Sequence, residues 1–271
     1  MADVSEWITQ RQLVDDLQRL GVSAGQVLMV HSSVRAVGSI VGGPNTIIQA
    51  LLDVLTPAGT LIMYVGWQEA PTDISDWPEA VRALFYQEHP PYDPRTSRAV
   101  RDHGILVECF RTWPGVIRSA HPDCSMAAIG AKAEWVTAAH PFMYGYGIGS
   151  PLHKLCELGG FVLMLGAPLD TITLLHYAED RAALPDKRVK QYRCPILSAG
   201  QTVWVDLEEY DTSDTVIDAH YEFDQIARDY LATGEGRTGL IGRAQSYLFE
   251  AANIAGFGIQ WLESRFGNLS R

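Results

Sequence analysis

From residue 27 to 65 the hydrophobic pattern changes period twice. VLMVH (27–31) is a nearly continuous apolar run, PNTIIQALLDVL (44–55) repeats apolar positions at helical spacing behind a proline, and TLIMYV (60–65) is apolar again. Strand, helix and strand are expected, punctuated by GlyGlyPro before the helix and ProAlaGly after it. An opening helix is expected at 9–20, with Leu13, Val14, Leu17 and Leu20 on one face and a stop at Gly21. FVLML (161–165) is apolar throughout, as suits a central strand covered on both faces. Further helices are expected near 99–112, 131–139, 152–158, 224–231 and 250–266. GVIRSAHPDCSMAAIG (115–130) reads as strand, polar turn and strand, and 189–197 with 202–207 as a hairpin through SAGQ. Such alternation marks an α/β protein. Residues 67–98 break it: GWQEAPTDISDWPEA and YQEHPPYDPRTS are rich in proline, aromatics and acids, and read as an excursion from the sheet, a substrate lid or a plain surface insertion.

The chain of 271 residues is expected to form one domain over 1–271 with one large core. No apolar run is long enough to span a bilayer, and with the early acids of MADVSEWITQRQL and no apolar stretch among them, no export signal is expected. Cys109, Cys124, Cys156 and Cys194 have no CxxC or metal-ligand spacing, so they read as buried thiols of a cytoplasmic protein. A formal net charge of −11 disfavours nucleic acid and anionic membranes as partners and favours a cationic ligand.

The first candidate for chemistry is VLMVHSSVRAVG (27–38), where a core strand runs directly into His31, Ser32, Ser33 and Arg35. Ligands of α/β proteins sit at such carboxyl strand ends, where hydroxyls and free N–H groups can hold an anion; a serine-capped turn is the plain alternative. SAHP (119–122) repeats the arrangement, and Arg35 and Arg118 can each serve phosphate or a structural salt bridge. After the central strand, DTITLLHYAED places His176 with Glu179 one turn later on the same face, and Thr171 and Thr173 before them. A histidine there can accept a proton near neutral pH, or it can be a bonded core residue. GEGRTG (234–239) matches GxGxxG but follows a helical stretch, so it reads as a turn. No GxSxG elbow, P-loop or metal-binding histidine cluster is present in the sequence, and no metal is expected.

Taken together, VHSSVRAVG, YDPRT, RSAHPDCSMAAIG, GSPL, VLMLGAPLDTITLLHYAE and YLFEAANIAGFGIQWLESRFG resemble the aminoglycoside 3-N-acetyltransferase (antibiotic N-acetyltransferase) family, in order over nearly the whole chain. The resemblance implies a three-layer α/β/α sandwich around a mixed central sheet, unlike the GNAT fold; QRLGVS and RAVGSI each miss the last position of the GNAT pyrophosphate signature. It implies acetyl-CoA-dependent acetylation of the 3-amine of the deoxystreptamine ring of aminoglycoside antibiotics, hence resistance. His31, Ser32, Ser33, Val34, Arg35 and Val37 then fall on the coenzyme A segment, with Arg118 and Ser119 on a second one. His176 becomes the catalytic base, with Glu179 or Asp224 as its acid partner and Thr173 near the thioester oxygen. Asp224 stands where relatives have glutamate. Tyr64, Asp211, Asp214, Asp218 and Glu222 fall on the antibiotic side, the carboxylates as partners for ammonium groups. The alternatives are an acetyltransferase of the same fold acting on another amine, and a non-catalytic aminoglycoside-binding protein.

Overall fold

The computed structural model describes residues 7–72 and 74–267. Residues 1–6, on which the expectation about export partly rests, lie outside the described residues. The chain begins with β1 (Trp7–Ile8), α1 (Gln10–Leu20), β2 (Val27–Ser32), α2 (Val34–Val37), β3 (Ser39–Ile40), α3 (Pro44–Leu55) and β4 (Thr60–Tyr64). Thr9 caps α1 by accepting from the Gln12 N–H, and Gly21 closes it in the left-handed region. There follow α4 (Glu79–Glu88), a 3-10 turn (Arg101–His103), α5 (Ile105–Arg111), β5 (Ile117–Arg118), β6 (Met126–Gly130), α6 (Ala133–Thr137), α7 (Pro151–Glu157) and β7 (Phe161–Leu165). The last part holds α8 (Leu174–Arg181), β8 (Val189–Ser198), β9 (Gln201–Tyr210), α9 (Phe223–Ala232), β10 (Arg237–Ile241), β11 (Ala244–Glu250) and α10 (Ala251–Phe266).

Seven strands form one sheet in the order β10-β11-β7-β2-β4-β6-β5. Its centre, β7-β2-β4, is parallel, while β11 and β6 flank it antiparallel, so the sheet is mixed. Alternation along the central strands divides the core. Met29, Ile62, Val162 and Met164 face the layer of α6 to α10, whereas Leu28, Val30, Met63 and Leu163 face α1, α3 and α5. This is the expected three-layer α/β/α sandwich around a mixed sheet. No helix among the described residues is long and apolar enough to cross a membrane.

Two expectations are corrected. The helix expected from residue 99 begins only at Ile105, because Gly104 takes φ +87° and separates it from the 3-10 turn before it. The antiparallel pair β10–β11 was not anticipated, since Arg237, Gly239, Arg243 and Gln245 interrupt its apolar alternation. The first half of GEGRTG is a turn, with Gly234 and Gly236 at positive φ, and the second half, from Arg237, is already strand β10.

The hairpin β8–β9 stands outside the main sheet, turning through Ala199 and Gly200, both with positive φ as a tight two-residue turn demands. Tyr92, from the excursion, pairs with it: its N–H donates to the Pro195 carbonyl at 2.8 Å, and its carbonyl accepts from Leu197 at 2.9 Å. The excursion thus docks on this hairpin.

Candidate active site

Strands β2 and β7 are parallel neighbours, with Ser32 opposite Leu165, so both carboxyl ends open on one rim of the sheet. The Ser33 N–H ties the two ends together by donating to the Leu165 carbonyl at 3.0 Å, and the Ser33 hydroxyl caps α2. Gly166 follows β7 at φ +66°; a Cβ there would stand 2.8 Å from the Cβ atoms of Ala36 and Ala244. Only glycine lets the chain turn away so sharply.

Above this rim lies a cavity of about 820 Å³. One wall is the end of β2 with its extension, His31 to Arg35; the opposite wall is Ala167, Pro168, Thr173 and His176. Tyr64, His103, Gly104 and Phe223 complete it. The volume suits a ligand of cofactor size. The arrangement also has chemistry fit for a phosphorylated thioester: two serines, an exposed arginine with no partner among the described residues, and an apolar floor that includes Val30 and Val107.

His176 and Glu179 are on α8 one turn apart, and Nδ1 of His176 meets Oε2 of Glu179 at 2.7 Å. A buried carboxylate there accepts a hydrogen bond from Nδ1–H, which fixes the tautomer and leaves the lone pair on Nε2. The imidazole is about one quarter exposed, and no described residue bonds its Nε2. Tyr146 lies beneath the ring at 4.9 Å between centroids and 30° between planes, and Phe223 meets it edge-on at 4.9 Å. The Tyr146 hydroxyl in turn bonds that of Tyr64 at 2.7 Å. Burial holds both phenols well above the usual tyrosine range, so both remain neutral donors. The second oxygen of Glu179 accepts from the buried Tyr221 hydroxyl. Thr173 lines the cavity one turn before His176, and its hydroxyl is not spent on capping the helix.

Several residues expected in the site are elsewhere. Val37 is fully buried in the core beneath β2. Arg118 spends its guanidinium on Ser125 Oγ at 3.0 Å, the Ser97 carbonyl at 2.6 Å and the Gly66 carbonyl, and lies over the Tyr92 ring. Ser119 is buried, accepting from the Met126 N–H and bonded to His140. Asp224 is held by Arg228 at 2.6 Å on the surface of α9, and its neighbour Phe223 faces the cavity instead. Asp211 folds back onto Ser213 and borders a separate cleft, while Asp214, Asp218 and Glu222 are exposed and line no part of this cavity. The acidic loop contributes Tyr221 inward rather than its carboxylates. Sequence reasoning missed Tyr221, Tyr146, His103 and Phe223, none of which stands in a local motif of its own.

Three histidines of this region are kept neutral by burial, His31 and His140 down to about 3 and His121 down to about 4. Two of the rings do local work: His121 Nδ1 accepts the N–H groups of Asp123 and Cys124, and His140 bridges Ser119 and the Gly145 carbonyl, whereas the buried Nε2 of His31 has no partner among the described residues. The unfolded chain takes up these protons near 6.5, so below that pH it binds more protons than the folded protein and stability falls with acid. Glu209, raised to about 7 by burial, works oppositely, losing its stabilising contribution as pH rises, and Asp180 is pushed up as well, but His103 is pushed down with the other three histidines. The thermal midpoint should therefore fall steadily from pH 6.5 to 5. A midpoint that holds or rises over that interval refutes the assignment.

Comparison with known proteins is in line with this geometry. The family model for aminoglycoside 3-N-acetyltransferase matches residues 29–263. Aminoglycoside N(3)-acetyltransferase III of Pseudomonas aeruginosa is 54% identical over 99% of this chain and 98% of its own. The solved structure of AAC-IIIb in a binary complex with CoASH superposes with a TM-score of 0.91 at 48% identity, over 98% of this chain and all of that one. AAC-VIa bound to sisomicin superposes with a TM-score of 0.90 at 39% identity, over 96% of this chain and 98% of its own. A match of that extent in sequence and fold means that the chain belongs to the aminoglycoside 3-N-acetyltransferase family of enzymes.

Proposed function

We propose that the protein transfers an acetyl group directly from acetyl-CoA to the 3-amine of the deoxystreptamine ring of an aminoglycoside, with His176 as general base. The observation behind this reading is the His176–Glu179 pair, whose free Nε2 stands at the wall of a cavity that also presents Ser32, Ser33 and Arg35. The neutral amine attacks the thioester carbon while Nε2 takes one of its protons, the thiolate leaves, and the imidazolium hands that proton to the sulfur. The Thr173 hydroxyl holds the thioester oxygen as negative charge develops on it, a role supported by Thr173 lining the same cavity as His176. His31, Ser32, Ser33, Val34 and Arg35 take the coenzyme side, and Tyr64 the antibiotic side. The excursion at 67–98 belongs to the antibiotic side of a single domain. The acidic net charge favours a polycationic substrate, and the neighbours bound to CoASH and to sisomicin support both ligand classes. A cytoplasmic setting suits four free thiols.

Release of free thiol from acetyl-CoA, measured with sisomicin, gentamicin and a non-aminoglycoside amine, tests the reading. Release with the aminoglycosides and acetylation at the 3-amine are expected; release with only the other amine favours a different substrate class, and binding without release a sequestering protein. In the same assay Arg35→Ala and Ser33→Ala should raise KM for acetyl-CoA more than KM for the antibiotic. If the antibiotic KM rises instead, the two sides of the cavity are reversed. Arg35 is the cleaner variant, since Ser33 also caps α2.

A further inference from the structure

The stretch between β9 and α9 is dense in acids, yet its one deeply buried aromatic, Tyr221, points to Glu179. The phenol is 4% exposed, donates to Oε1 of Glu179 and accepts from the Val216 N–H at 3.3 Å. Its ring packs against Trp261 and Phe266 of α10. Glu179 is thus held from both sides: its Oε1 by a phenol delivered by the loop, its Oε2 by His176. Without Tyr221, one oxygen of a carboxylate that is 2% exposed would have neither water nor donor.

We infer that Tyr221 is a positioning residue for catalysis, a fixed donor that keeps the Glu179 carboxyl aimed at Nδ1 of His176, so that the imidazole presents Nε2 to the substrate amine. The inference rests on the role of His176 as base. The acidic loop is therefore joined to the reaction through a neutral phenol, and movement of residues 216–221 would be felt at His176 through two hydrogen bonds.

The other groups around the pair do not offer the same control. His31 on β2 remains neutral down to about 3, and the Tyr146 phenol under the ring is held protonated by burial. His103, across the cavity, is also pushed down by burial. Asp180, the next residue on α8, is pushed up by burial and offset by Lys187, which also senses Glu179, while Arg188 acts on the far side of Tyr221. None of these donates a hydrogen bond to Glu179.

Removing the phenol oxygen takes a hydrogen-bond donor away from Glu179 and should make its carboxylate a stronger partner for a protonated His176. A hydrogen bond to a charged group is strong enough to move that titration by about one pH unit. In Tyr221→Phe the acid limb of the kcat/KM profile should move up by about one unit and kcat fall about tenfold, with both KM values within twofold of wild type. Replacing Tyr221 alone by 3-fluorotyrosine, a more acidic phenol, should move the limb the opposite way. It also serves if the phenylalanine variant does not fold. A structural role alone would lower the melting temperature of Tyr221→Phe and leave the limb in place; that result, or a fluorotyrosine limb that does not move, overturns the inference. The His176→Ala variant separates the two layers of argument. If it retains full turnover, the base assignment fails; if it is inactive while both Tyr221 variants keep the wild-type limb, only the role of Tyr221 fails.

Discussion

His176→Ala should lower kcat by about 10² to 10⁴ while acetyl-CoA still binds, the span that a positioned general base contributes. The imidazole is hydrogen-bonded to Glu179 and not to Ser33 or Arg35, the groups assigned to the coenzyme, so its loss breaks no hydrogen bond of that wall. Its removal does leave Glu179 with one partner, Tyr221, in a buried setting, and about 1–3 kcal/mol of stability should go with it. Activity must therefore be measured on protein shown to be folded at the assay temperature. Under saturating substrates a folded His176→Ala protein with unchanged kcat removes the base from the mechanism. A deeper loss accompanied by a large rise in KM for acetyl-CoA would instead mean that the ring positions the thioester. His176→Gln, which retains a polar group but no basic nitrogen, should be as slow as the alanine variant. Its recovery of activity would point to hydrogen bonding rather than proton transfer.

What could be read from the sequence divides by the range of the contacts involved. The central strands and α3 were legible because each shows its own period: TIIQALLDVL repeats at helical spacing, and FVLML is buried on both faces. The His176–Glu179 pair was legible for the same reason, since two residues one turn apart on a helix meet wherever the helix is placed. Tyr64 and Tyr146 meet across 82 positions, and Tyr221 reaches Glu179 across 42; no local pattern encodes such a contact. The acids of the 211–224 segment misled for a related physical reason. A carboxylate in a polar loop is equally compatible with binding an ammonium group, capping a turn as Asp211 does, or pairing along a helix as Asp224 does with Arg228. Only the placement of the loop chooses among them. Ser33 and Arg118 show the same contrast at strand ends, for both follow apolar stretches, yet one faces the cavity and the other turns beneath the excursion.

Arg118→Ala should cost about 3–5 kcal/mol of stability and leave KM for acetyl-CoA unchanged in the protein that remains folded. The three acceptors of its guanidinium explain the size. The Gly66 carbonyl lies where the chain leaves β4, the Ser97 carbonyl where it returns, and Ser125 Oγ just before β6. Arg118 therefore clasps both ends of the excursion at 67–98 to the sheet, a geometry that a planar fork of donors can satisfy and a small side chain cannot. Its stacking over Tyr92 extends the clasp, because Tyr92 also donates to the Ser119 carbonyl and pairs with β8. Truncation to alanine leaves these acceptors without their donor and removes the plane on which the Tyr92 ring rests. For a chain of this size the melting temperature should drop by roughly 10 °C, and limited proteolysis should cut first within residues 67–98. Arg118→Lys, which preserves charge but offers no fork, should recover only part of the loss. If the alanine variant melts like wild type and its KM for acetyl-CoA rises tenfold, Arg118 serves the coenzyme after all and the excursion is held by its other contacts, such as the docking of Tyr92 on β8.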